Sequence, residues 1–210
     1  MMAVMRSAAP ATDSDLAHLR DGVARRCAAG DEYFASVARD LAECAAAMAD
    51  RFFAGATLMV FGSGAGATDA QHNSVEYVHP VLPGCRALPA LSLTNDISTV
   101  TGILGGVDPL GVYAHQLSIL GRPGDIALSF LTSPFDGACL RGLRTAREAG
   151  MLTIALSTGE GATSAVAAHM FHVDSDDPLV AQELHLATYH MLWELTHIVL
   201  NHRGIAQARR

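Results

Sequence analysis

The sequence predicts an α/β fold: a three-layer αβα sandwich on a five-stranded parallel sheet, preceded by an N-terminal helical arm. Three observations carry this. From Leu58 onward, short apolar runs alternate with helical stretches, the order that makes parallel strands with right-handed crossovers and helices on both faces. The runs are continuously apolar rather than alternating, as strands covered on both sides are. A glycine turn, Gly62-Ser63-Gly64-Ala65-Gly66, follows the first run and leads into a helix.

Residues 1–12 read as a frayed tail. Asp13, Ser14 or Asp15 is placed to cap a first helix, with Leu16, Leu19 and Val23 along one side. Gly30 should end it. Asp31 should open a second helix, with Phe34, Val37, Leu41, Cys44, Met48 and Phe52 as its apolar stripe. These two helices serve either intrachain packing or a subunit interface, because one sheet face cannot use every stripe. Residues 1–54 are thus the tail and arm, and 55–210 the α/β domain. Strand one is Leu58–Phe61, with a helix from Ala67. Strand two is Leu88–Leu93, ending in Thr94-Asn95-Asp96. A short helix over Tyr113–Leu120 stops at the turn Gly121-Arg122-Pro123-Gly124-Asp125. Strand three is Ile126–Leu131, strand four Met151–Leu156 and strand five Met170–Val173. A final helix covers Leu179–Leu200.

The chain has 210 residues, half of them apolar, enough for one domain with a full core. Its formal charge is −7 with no basic run, which argues against nucleic acid as a partner. No run is long and apolar enough for a membrane span, and no signal peptide is apparent, so a cytoplasmic location is expected. All basic residues are arginine. Without lysine, Schiff-base carbonyl chemistry is unavailable. The four cysteines, Cys27, Cys44, Cys85 and Cys139, make no CxxC pair and read as buried thiols of a reducing compartment.

Chemistry concentrates in two helices. After the glycine turn, where Ser63 and Gly64 form a ligand cradle, helix N-terminal N–H groups favour an anion. His72 and Glu76 then stand four apart, on one helical face. The turn has two competing readings. In a dinucleotide fingerprint Gly62-x-Gly64 fits, but the sixth position is Ala67 and Leu82–Arg86 lacks the acidic residue expected about twenty positions on. The other reading is a turn rich in glycine for tight packing alone. Thr94 and Asp96 lie at a strand's carboxyl end, where ligands of open sheets bind, although Asp96 serves equally as a helix cap. The last helix carries Gln182, Glu183, His185, His190, Glu194 and His197. Gln182 and His190 are separated by roughly 80° around the helix. Spacing alone does not choose them over Glu194 or His197.

From Phe61 to about Leu200 the chain resembles the sugar-isomerase (SIS) domain family, in its sedoheptulose-7-phosphate (phosphoheptose) isomerase branch. The resemblance rests on Gly62-x-Gly64 with Asp69-Ala70-Gln71-His72-x-x-x-Glu76, Leu93-Thr94-Asn95-Asp96, Gly121–Asp125, Ala149–Leu156, and Gln182-Glu183-x-His185 with His190. It implies the flavodoxin-like SIS fold, a helical arm, and a homotetramer with active sites between subunits. It also implies Glu76 as general base and His190 as general acid, moving a proton between C1 and C2 of a sugar through an enediol. Some relatives bind zinc, which places His72, Glu76, Gln182 and His190 as the ligand set, an N/O set that suits the ion. The resemblance makes Thr132 and Ser133 the remnant of a serine-rich phosphate loop.

The departures cluster in that loop. Gly66 stands where the family has a serine, and Leu131, Pro134, Phe135 and Asp136 replace the rest of the loop pattern. Asp136 places a carboxylate where an anion should bind. Two unit charges about 4 Å apart repel by about 4 kcal/mol at an effective dielectric near 20. Pro80 replaces a family arginine, and Leu179 and Val180 replace polar residues before Gln182. Three functions follow: an SIS aldose–ketose isomerase acting on a sugar or sugar phosphate, a divergent metal-dependent enzyme on a non-phosphorylated ligand, or a non-catalytic adaptor resembling the tetrameric replication-initiator regulator.

Overall fold

The structure is a computed structural model that describes residues 11–132, 136–159 and 166–208, with side chains through Arg203. It falls into two compact units, the first ending at Ser36 and the second beginning at Val37. The described elements run α1 (Asp13–Phe53), β1 (Leu58–Gly62), α2 (Ala65–Val78), β2 (Ala90–Ser92), α3 (Ile97–Leu104), a 3-10 turn (Pro109–Gly111), α4 (Val112–Leu120), β3 (Ile126–Leu131), α5 (Gly137–Glu148), β4 (Leu152–Thr158), β5 (His169–Val173) and α6 (Pro178–Ala208).

The first unit is helical, and one expectation about it fails. Gly30 does not end a helix: α1 is continuous over 41 residues. A single glycine in a helix costs about 1 kcal/mol relative to alanine, small beside the helix formers that flank it over the rest of α1. The cap also differs. Thr12 and Asp15 bond reciprocally, with the Asp15 N–H donating to Thr12 Oγ1 and the Thr12 N–H donating to Asp15 Oδ2 at 2.8 Å.

In the second unit the five strands are all parallel, in the order β2-β1-β3-β4-β5. β1 and β3 are buried along their whole length, as their continuous apolar runs predict. β2 is an edge strand of three residues, shorter than the expected Leu88–Leu93. On one face α2 packs over β1, β2 and β3 and touches α6; on the other, α5 packs over β3 and β4 and against α4. The second face closes on Phe61, Tyr113, Leu117, Leu143 and their neighbours. On the first, Phe52 from the end of α1 stacks on Tyr77 of α2 at 5.5 Å.

This order puts the reversal of connection direction between β1 and β3. There the N-termini of α2 and α5 open at the carboxyl ends of adjacent strands, the place where open α/β sheets hold ligands.

Candidate active site

α2 begins at Gly64, whose φ of +57° suits glycine and turns the chain tightly off β1. Over about two turns, α2 then projects Asp69, His72 and Glu76 on neighbouring positions. α6 lies against this helix, and its side chains meet those of α2. One donor atom each from His72, Glu76 and His190 lies within 4.8 Å of the other two. His72 Nε2 is 3.1 Å from Glu76 Oε1. The His72 and His190 rings meet edge-on with centroids 5.4 Å apart. Glu76 is buried, whereas His72 and His190 are half-buried, so the group borders an opening rather than the core. That opening is a pocket of about 200 Å³ bordered by Glu76, His190, Trp193, Val81 and Leu82.

Neighbouring side chains hold the cluster. Tyr189 Oη lies 2.7 Å from His72 Nδ1, which orients the ring so that Nε2 faces Glu76. The Trp193 indole donates to the Glu76 carbonyl oxygen at 2.9 Å, tying α6 to α2. The Gln182 amide lies 3.4 Å from Asp69 Oδ2 and 3.5 Å from Oδ1. Gln182 is thus engaged with Asp69, one turn before His72. Burial raises the Asp69 carboxyl above its usual range, against the opposing pull of Gln182 and His72. Burial lowers His190, against the opposing pull of the Glu76 carboxylate.

The residues fit a metal ion. His190 Nε2 is buried with no hydrogen-bond partner among the described residues, although such atoms are nearly always satisfied. It sits beside a second imidazole and a carboxylate, and this is a donor set that zinc accepts. The His72 ring meets a Tyr189 hydroxyl on its far nitrogen, as ligating histidines usually meet an outer partner.

The expected substrate contacts divide. Ser63 and Gly64 lie at the β1–α2 turn, and Thr132 is half-buried at the end of β3. Ser133 lies outside the described residues. Thr94 shares a 2.7 Å hydrogen bond with Ser92 and donates at 3.4 Å to the Ala67 carbonyl in the first turn of α2. Asp96 is the N-cap of α3, accepting from the Ser98 and Thr99 N–H groups and the Thr99 hydroxyl. It borders a different cleft, of about 480 Å³, with Leu91, Asn95, His115 and Gln116. His197 is spent on backbone: its nitrogens lie 2.8 and 3.0 Å from the carbonyl oxygens of Trp193 and Arg86. Sequence reasoning missed Tyr189 and the Asp69–Gln182 contact. Asp69 stands three residues before His72, a spacing that marks one face; an aromatic beside a site histidine leaves no comparable signal.

A model of the SIS domain matches residues 27–158. The phosphoheptose isomerase of Desulfovibrio desulfuricans is 37% identical over 188 residues, 89% of this chain and 87% of that one. The protein of that name from Roseiflexus sp. is 32% identical, over 70% of this chain and 75% of its own. Among solved structures, a phosphoheptose isomerase from Francisella tularensis superposes with a TM-score of 0.80 at 25% identity, covering 87% of this chain and 97% of that one. One from Neisseria gonorrhoeae, at 23% identity, shares the fold with a TM-score of 0.78, covering 86% of this chain and 97% of its own.

Proposed function

This chain belongs to the SIS-domain family, and from that premise we propose that it is an aldose–ketose isomerase of the phosphoheptose type. One observation carries the reading: α2 and α6, far apart in sequence, bring donor atoms of His72, Glu76 and His190 within 4.8 Å of one another, and His190 Nε2 has no hydrogen-bond partner among the described residues.

The Glu76 carboxylate removes the proton from C1 of a ketose. His190 gives a proton to the C2 carbonyl oxygen, and an enediol results. Glu76 then returns its proton to C2 while His190 takes back the proton of the C1 hydroxyl, which leaves the aldose. Positioned acid–base groups of this kind supply about 10²–10⁴-fold each. Burial of Glu76 keeps bulk water from trading its proton away. Asp69 lies one turn nearer the glycine turn, where a hydroxyl of the bound sugar chain would reach it. His72, Glu76 and His190, joined by Gln182, would hold a zinc ion. An ion held there would supply Lewis-acid polarisation of the substrate carbonyl.

The same reading takes residues 1–54 as an arm and 55–210 as the SIS domain. It makes the chain a homotetramer in the cytoplasm, acting on a small sugar-like substrate. The exposed Leu16, Leu19 and Val23 on α1 support an interface role for the arm, and four free thiols suit a reducing compartment.

The test is isomerisation of sedoheptulose 7-phosphate and of sedoheptulose by the zinc-loaded protein, with metal content measured alongside. Glu76→Gln and His190→Ala should each lose at least about 100-fold in kcat while keeping the circular dichroism spectrum. Full turnover by either variant would remove the assigned roles.

A further inference from the structure

His72 stands between two partners that ask different things of its ring. Nε2 is 3.1 Å from Glu76 Oε1, and Nδ1 is 2.7 Å from Tyr189 Oη. A carboxylate only accepts, so a hydrogen bond to Glu76 puts the ring proton on Nε2 and leaves Nδ1 bare. A metal ion held by His72, Glu76 and His190 needs the opposite tautomer, with a lone pair on Nε2 and the proton on Nδ1. The group beyond Nδ1 therefore has to serve both forms. A carbonyl or carboxylate there would serve one. His185 shows that case: its Nε2 meets the Ser157 carbonyl oxygen at 3.1 Å, which holds the proton on that nitrogen. A phenol both donates and accepts. Tyr189 is also fixed in place. It is 0% exposed, so bulk water does not substitute for it. Its ring meets Phe130 of β3 edge-on at 5.7 Å and His190 at 4.9 Å. The hydroxyl oxygen is thus aimed by packing, and only its hydrogen has to turn.

We propose that Tyr189 is a positioning residue for the metal site: it donates to His72 Nδ1 while Nε2 bonds to Glu76, and it accepts from Nδ1–H when Nε2 becomes a ligand. This rests on the metal-assisted isomerase reading above and adds how one ligand of that site is made ready. Protons balance. The ring gives up the proton on Nε2 and takes one on Nδ1, while the phenol keeps its own. Outer partners of ligating histidines carry about 10–100-fold of metal affinity.

The test uses the full chain as wild type and Tyr189→Phe, which keeps the ring and removes only the hydroxyl. Zinc affinity is measured by competition with a chromogenic chelator. Isotope-labelled histidine is followed by NMR, where the Cδ2 shift separates the two tautomers; the His72 signal is identified by its loss in His72→Gln. Wild-type His72 should carry its proton on Nε2 without zinc and on Nδ1 with it. Tyr189→Phe should bind zinc at least about tenfold more weakly, with an unchanged circular dichroism spectrum. Equal zinc affinity in the two proteins overturns the proposal. So does a wild-type His72 with the same tautomer before and after zinc, a readout that needs no variant, and so does a wild type that binds no zinc. None of these measurements requires turnover, so failure to isomerise either sugar would remove the isomerase reading and leave this one standing.

Discussion

His185 and His190 stand on the same helix and differ in what surrounds them. His185 is 1% exposed, with Nε2 3.1 Å from the Ser157 carbonyl oxygen. Burial pulls its pKa from 6.5 to about 4, against the Ser157 hydrogen bond and assisted by repulsion from His172. Unfolded, it takes a proton near 6.5; folded, it resists until about 4. Its stabilising effect is therefore full above pH 6.5 and is lost as the pH falls toward 4. Between pH 7.5 and pH 5, about 2 kcal/mol of stability should disappear, read as a lower urea midpoint. His185→Asn should flatten that dependence, and an unchanged slope in the variant would assign it elsewhere. His190, by contrast, keeps an unpartnered nitrogen at the pocket. Both residues look alike in the sequence, because burial and partners depend on residues more than twenty positions away.

Between elements, α2 is held closely against β1 and β3. Gly62 and Gly66 press together at the turn: a Cβ on Gly62 would lie 2.6 Å from the Gly66 carbonyl oxygen, and one on Gly66 would strike Phe130. Gly66→Ser should cost about 1–3 kcal/mol through overpacking, measured by urea denaturation. Smaller loss on a Phe130→Val background would show the two positions to be coupled. An unaltered midpoint would mean that α2 moves away freely. Strand positions were legible because parallel strands buried on both faces must be continuously apolar; β3 matches its expected limits, Ile126–Leu131. Helix ends in the arm were not. The continuous α1 passes through Gly30 because local propensity is weak beside a long run of helix formers.

For the whole molecule, the arm's exposed stripe sets the prediction. Leu19 is 62% exposed and Val23 53%, too apolar for a solvated helix face of this length. If the proposed homotetramer forms through this stripe, Leu19→Asp with Val23→Asp should lower the mass in light scattering while the α/β domain keeps its circular dichroism spectrum. An unchanged mass would take the stripe out of the interface. No helix among the described residues is long and apolar enough to cross a membrane. The sequence by itself determined the strand–helix alternation, the glycine turn and the His72–Glu76 pair, because each is a local pattern with a fixed period. Only the tertiary structure decided which polar residue of α6 meets that pair. It selected His190, tied His197 to backbone carbonyls, engaged Gln182 with Asp69 and joined Asp136 to Ser63. Those contacts follow from how two helices rotate and seat against one sheet, and no spacing within either helix encodes that.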